Sequence, residues 1–151
     1  MELSAATAAV YLQRAFDQIL AVADRVGEPG INERPHGPDT NAIAALVAHC
    51  CGVSEFWLGH VALGRANHRQ REAEFSTELT LAEVHERVAA TVAQSLADIE
   101  ALEAGSGVDE GGRVFLPGED RSDASVVIHV LEELYQHLGH MELAADALTA
   151  R

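Results

Sequence analysis

Apolar residues recur at three- and four-residue spacing over four stretches of the chain, and no stretch alternates convincingly at the two-residue period of a strand. The first runs from about residue 4 to residue 26, where Ala9, Leu12, Phe16, Ile19, Leu20 and Ala23 form one stripe. Gly27 ends it, and Pro29-Gly30 follows as a breaker. Pro29, Pro35 and Pro38 make residues 27–39 an extended connection. A second helix begins at Asp39 or Thr40, either of which can cap it, and continues to about residue 64. Residues 65–79 are polar and rich in arginine and glutamate, the pattern of a surface loop. A third helix, about 80–103, opens with Thr80-Leu81-Ala82-Glu83, a capping-box string. Its stripe of Leu81, Val84, Val88, Val92, Leu96, Ile99 and Leu102 is the cleanest in the chain. Residues 104–121, rich in glycine, read as a loop, and a last helix, about 122–149, starts at Ser122 or Asp123.

Four helices of this length, each roughly 33–42 Å at 1.5 Å per residue, predict an all-α fold. Residues 1–151 are expected to form one four-helix bundle domain, with core enough for a single domain in 151 residues. The long connections leave room for a crossover topology rather than a tight up-down-up-down arrangement.

Charge narrows the partners. The net charge is −14, and every basic side chain is arginine, since the chain has no lysine. Nucleic acid and anionic membranes need a basic surface, so neither is an expected partner. No stretch is apolar for the roughly 18 residues a membrane span needs, and Met1-Glu2-Leu3-Ser4 lacks the start of a signal peptide. Cys50 and Cys51 are neighbours whose side chains diverge by roughly 100° on a helix, so a bond between them would be strained. A reduced, cytoplasmic protein is the expectation.

Two helices carry ionisable groups where a bundle needs aliphatic ones. In the second, His49 lies within the run Ala-Leu-Val-Ala-His-Cys-Cys-Gly-Val, on a stripe with Leu46, Val53, Phe56 or Trp57, and His60. In the last, Val126, Val130, Glu133, His137, Met141 and Ala144 share the inward face. A buried carboxylate or charged imidazole is costly unless paired or bound to a cation, and a divalent metal relieves both. Glu133 and His137, one turn apart, can reach one ion, and His49 is the best-placed third ligand. Two histidines and a carboxylate leave positions open for substrate, as a catalytic site requires. Each residue also has a plainer reading: a lone buried histidine is usually a satisfied core residue, and a Glu–His pair one turn apart is common on helix surfaces. His129 and His140, one turn to either side of the pair, are outer-sphere groups or alternative ligands, with His140 the stronger competitor for Glu133's place. His36, His68 and His85 read as solvent-exposed, and His60 as a helix-end residue. Trp57 and Phe56 read as core anchors before a substrate platform, and the cysteines as small core residues. No arginine pocket declares itself; Arg113 and Arg121 are candidates for a substrate carboxylate only by their nearness to the last helix in sequence.

The string His-Val-Leu-Glu-Glu-Leu-Tyr-Gln-His-Leu-Gly-His-Met-Glu-Leu, residues 129–143, is similar to the last-helix signature of the DinB/YfiT-like superfamily, closest to its actinobacterial branch. Leu46-Val47-Ala48-His49, followed by Gly52-Val53-Ser54-Glu55-Phe56-Trp57, resembles that branch's second-helix motif. The resemblance implies a four-helix bundle holding one metal through a second-helix histidine and a fourth-helix pair, carried here by His49, Glu133 and His137. Glutamate in place of the pair's first histidine resembles the mycothiol-dependent maleylpyruvate isomerase type. His140 falls where many relatives carry glutamine, which favours an outer-sphere role.

The resemblance implies a thiol transferase or isomerase using a low-molecular-weight, mycothiol-like thiol on an electrophile. Zinc is the first expectation for the metal, with iron or nickel as alternatives, and a homodimer is compatible with the fold. Bound to a divalent metal, a thiol ionises near neutral pH and becomes a nucleophile. Two competing readings stand beside it: other mononuclear metal chemistry, hydrolytic or of the non-haem iron kind, and a non-catalytic helical binding or dimerisation domain.

Overall fold

The computed structural model describes residues 3–113 and 120–150, and among them every regular element is helical. Helix α1 (Ala5–Gly30) starts at Ser4, whose hydroxyl accepts from the Thr7 amide, and kinks at Gly27, where φ is +70°. That left-handed backbone is open to glycine at little cost, which explains why the apolar stripe stops there although helical turns continue to Gly30. Helix α2 (Ile43–Ser54) begins later than expected. Its N-cap is Ala42, with no side-chain cap. Thr40 instead donates its hydroxyl to the Gly37 carbonyl, closing the preceding turn. The first-turn amide of Ala44 is satisfied by the Ile31 carbonyl at 3.0 Å, so tertiary packing replaces the cap.

The second helix does not stay α-helical to residue 64. From Glu55 to Ala62 it is a π-helix, with the Leu63 amide donating to the Leu58 carbonyl five residues back. The wider turn lets Phe56 and Trp57 both stay half-buried against the core.

The expected surface loop 65–79 needs correction. It contains a short helix, α3 (Arg71–Glu74), and Glu74 is buried. A purely local reading sees charge and infers solvent. The partners that make burial tolerable are Arg69 in the same segment and His49 on α2. Helix α4 (Leu81–Glu103) carries the expected capping box, with the Glu83 amide bonded to the Thr80 hydroxyl and the Thr80 amide to Glu83. Helix α5 (Asp123–Thr149) is capped by Ser122.

The four long helices form the bundle: α1 packs on α4 and α5, and α2 packs on the same two, while α1 and α2 barely meet. The first two helices therefore sit at opposite corners, the crossover arrangement that long connections permit. Phe16, Leu12, Ile19, Leu46, Leu134 and Met141 are fully buried at the centre. Because α2 and α5 are neighbours, their inward polar residues meet in one place.

Candidate metal centre

His49 on α2 and Glu133 and His137 on α5 converge so that one ligand atom from each lies within 4.8 Å of the others. The Nε2 atoms of His49 and His137 stand 3.6 and 3.5 Å from the same Glu133 oxygen, Oε2. The two imidazoles meet edge to face at 4.6 Å between centroids. His49 is only 4% exposed. Glu133 and His137 are half-buried, and Glu133 with His49 opens to a cleft of about 470 Å³ lined also by Val53, Phe56, Trp57, Arg69, Arg71 and His129.

A residue that local pattern reading passes over completes the environment. Glu74 Oε2 accepts from His49 Nδ1 at 2.9 Å. Arg69 grips the same carboxylate twice, Nε to Oε1 at 2.6 Å and Nη2 to Oε2 at 2.9 Å. Arg69 Nη2 also lies 3.3 Å from His49 Nδ1, but a guanidinium can only donate and a carboxylate only accept. One nitrogen cannot answer both. The shorter contact, to a charged acceptor, puts the proton on Nδ1. The Nε2 lone pair of His49 then faces a Glu133 carboxylate oxygen, acceptor against acceptor, and a cation between them resolves that conflict. The donor set therefore fits a divalent metal.

The titration of these groups agrees with the geometry. Burial lowers the His137 imidazole below its usual value, and the adjacent His49 ring adds to this against the pull of Glu133. Burial alone would raise the Glu74 carboxyl, but hydrogen bonds from Arg69 and His49 outweigh it and hold the group below the ordinary glutamate value. A neutral histidine and an ionised carboxylate are the forms that ligation and its support need.

The other candidates fall into place around this centre. His129 lines the cleft with its ring edge-on to Trp57 at 4.5 Å, outside the converging set. His140 is exposed, its ring stacked on His137 at 6.4 Å, and also stands outside the set. His36, His68 and His85 are exposed. His60 closes the π-helical segment and donates Nδ1–H to the Arg65 carbonyl at 2.6 Å. Phe56 and Trp57 pack on the core and also line the cleft, so they serve as anchors and walls at once. Cys50 and Cys51 are buried free thiols. Burial pushes Cys51 up to about 11 and Cys50 well above its usual value, so both are inert core residues.

Of the two candidate arginines, Arg121 is exposed and Arg113 departs from expectation. Arg113 is buried and bonded to the carbonyls of Val108 and Arg121 and to Asp123, so it pins a connection and is not open to a substrate. An arginine-lined cleft exists elsewhere. Arg65, Arg69 and Arg87 line a cavity of about 730 Å³, together with Asn67, Gln70 and Gln94 among others. Each is paired: Arg65 with buried Asp98 at 2.5 Å, Arg69 with Glu74, and Arg87 with Glu55 at 3.0 Å. The polar stretch 65–71, with three arginines, was the available signal. The bundle folds it over α2 and α4.

Fold and site together define an all-helical bundle with a partly buried centre of two histidines and one carboxylate. A family model described as mycothiol S-transferase matches residues 7–149, and the chain belongs to that DinB/YfiT-like family. No curated protein and no solved structure matches the chain. Among the described residues, no helix is long and apolar enough to cross a membrane.

Proposed function

We propose that this protein transfers a low-molecular-weight thiol, mycothiol or a close analogue, to an electrophile at a mononuclear divalent metal held by His49, Glu133 and His137. Membership of the mycothiol S-transferase family supports the thiol. The single observation that carries the metal is the convergence of the three ligand atoms within 4.8 Å, with two acceptors facing one another. Zinc suits two imidazoles and a carboxylate. The bound metal supplies a lowered thiol pKa, so that the nucleophile exists near neutral pH.

The chain's own residues do the rest. Glu74 holds the His49 ring with Nε2 toward the centre, and burial keeps His137 neutral. Phe56 and Trp57 supply the apolar wall of the cleft. Phe56, Asn67 and Arg69 line both cavities, so one ligand can span them, with its sulfur at the centre and its body in the larger cleft. Because Arg65, Arg69 and Arg87 are already paired, that cleft suits a neutral ligand rich in hydrogen-bonding groups better than a bare anion. We place the reaction in a reducing compartment, the cytoplasm, consistent with two free thiols.

The test is metal content by mass spectrometry on untagged wild type and His49→Ala, followed by consumption of mycothiol with an alkylating electrophile. About one metal per chain, lost in the variant together with thiol conjugation, is the expected result. A folded wild type that refuses added Zn²⁺ overturns the metal, and conjugation unaffected by its removal overturns the mechanism.

A further inference from the structure

We propose that the connection 65–79 is a strap whose Arg69–Glu74 pair positions His49 for its ligand, through a gap that Gly52 leaves in helix α2. The inference concerns how the proposed centre is held and rests on that reading for its metal arm only.

Three observations carry it. Glu74 comes from a different element than any of the three converging residues, yet its side chain is 10% exposed and bonded directly to His49 Nδ1. Arg69 binds both carboxylate oxygens, which fixes the orientation of the group as well as its charge. Gly52, three residues beyond His49 and so on the same helix face, has no side chain to occupy the space. A Cβ there would meet Glu74 Oε1 at 2.2 Å and the Glu74 carboxyl carbon at 2.9 Å.

A glycine in mid-helix weakens the helix relative to alanine, and Gly52 takes no left-handed φ that would require it. Its use here is the close approach of Glu74. Since the colliding atoms end a flexible side chain, an alanine would be accommodated by the fold but would push the carboxylate off His49. Fold and positioning are thereby separable. A histidine ligand whose second nitrogen is tied to a carboxylate is fixed in tautomer and ring angle before the metal arrives. Glu74 is a positioning residue: it acts through His49 and does not itself join the converging set.

The experiment compares wild type, Glu74→Ala, Glu74→Gln and Gly52→Ala in two readouts. In metal-free protein, imidazole ¹⁵N shifts are recorded at a pH where His49 is neutral. Wild type is expected to hold the proton on Nδ1, as is Glu74→Gln, whose amide carbonyl still accepts it. Glu74→Ala and Gly52→Ala are expected to show mixed tautomers. In titrations with Co²⁺, the same two variants are expected to bind about 10–100-fold more weakly with an altered visible spectrum, while helical circular dichroism is retained. Glu74→Gln is expected to recover most of the affinity. Wild-type His49 protonated on Nε2, or Glu74→Ala and Gly52→Ala indistinguishable from wild type, overturns the proposal. If wild type takes up no Co²⁺, the metal reading fails, and the tautomer comparison alone decides the strap.

Discussion

Two connections of this protein use the same device to opposite ends. In the segment 65–79, Arg69 enters the fold and meets Glu74. In the segment 104–122, Arg113 enters and meets Asp123 at 2.5 Å. Both bury a guanidinium, which costs desolvation unless carboxylate and carbonyl acceptors receive it. They differ in what the second partner does afterwards. Asp123 is the first residue of α5, so Arg113 ties the loop to the start of that helix, with the Val108 and Arg121 carbonyls completing the clamp. Glu74 turns its other face to His49, so Arg69 ties a loop to the centre. An ion pair buried in a bundle is thus weak evidence of stability by itself. What matters is which atom the pair leaves oriented.

The largest effect expected from breaking this comparison is on Arg113. Truncation to alanine removes the charged hydrogen bonds to Asp123 and to the Val108 and Arg121 carbonyls, and should destabilise by about 2 kcal/mol, since water can reach the third-exposed Asp123 left behind. A denaturant melt should show it, while Co²⁺ affinity at the centre stays unchanged. The reverse pattern, intact stability and weakened metal, would make both segments servants of one site.

A second effect separates the two segments by pH. The folded chain holds the Glu74 carboxyl below its ordinary value near 4.5, so that group contributes stability above this pH which is lost as pH falls through the lowered value. The His137 imidazole is also held below its ordinary value near 6.5, so the folded state takes up that proton less readily than the unfolded chain. Its penalty begins as pH falls below 6.5. Thermal midpoints of metal-free protein should therefore decline in two stages on acidification. Glu74→Gln should remove the lower stage and His137→Ala the upper; a flat profile in wild type would contradict both.

The smallest effects concern where each segment hands over to a helix. Thr80 caps α4 after the first connection and Ser122 caps α5 after the second. Alanine at either should cost about 1 kcal/mol, measured by melting, with Co²⁺ affinity unchanged in both. Equal costs would show that the segments differ in what they bury and not in how they end.

The residues that were legible locally are those whose signal lies within one helix. The capping box at Thr80, the stripe of α4 and the inward Glu133–His137 pair all follow from helical periodicity, because residues one turn apart share a face whatever the rest of the chain does. His49 stood out for the same reason, as a polar group inside an apolar run. Thr40, expected as a cap, was spent on the preceding turn instead, since a hydroxyl can serve either and only the approach of Ile31 to Ala44 settles which.

Sequence alone therefore determined the all-helical class, the helix spans to within a few residues and the three side chains that converge, each a property of local pattern and the cost of burying charge. Tertiary structure decided that α2 lies beside α5 and diagonal to α1, that the helix after Ser54 widens into π geometry, and that an arginine-rich polar stretch folds inward. It also decided that Glu74 reaches His49 over Gly52. Apart from the π-helical turn, those are distances between residues far apart in the chain, and no periodicity encodes them; they follow from packing the elements together.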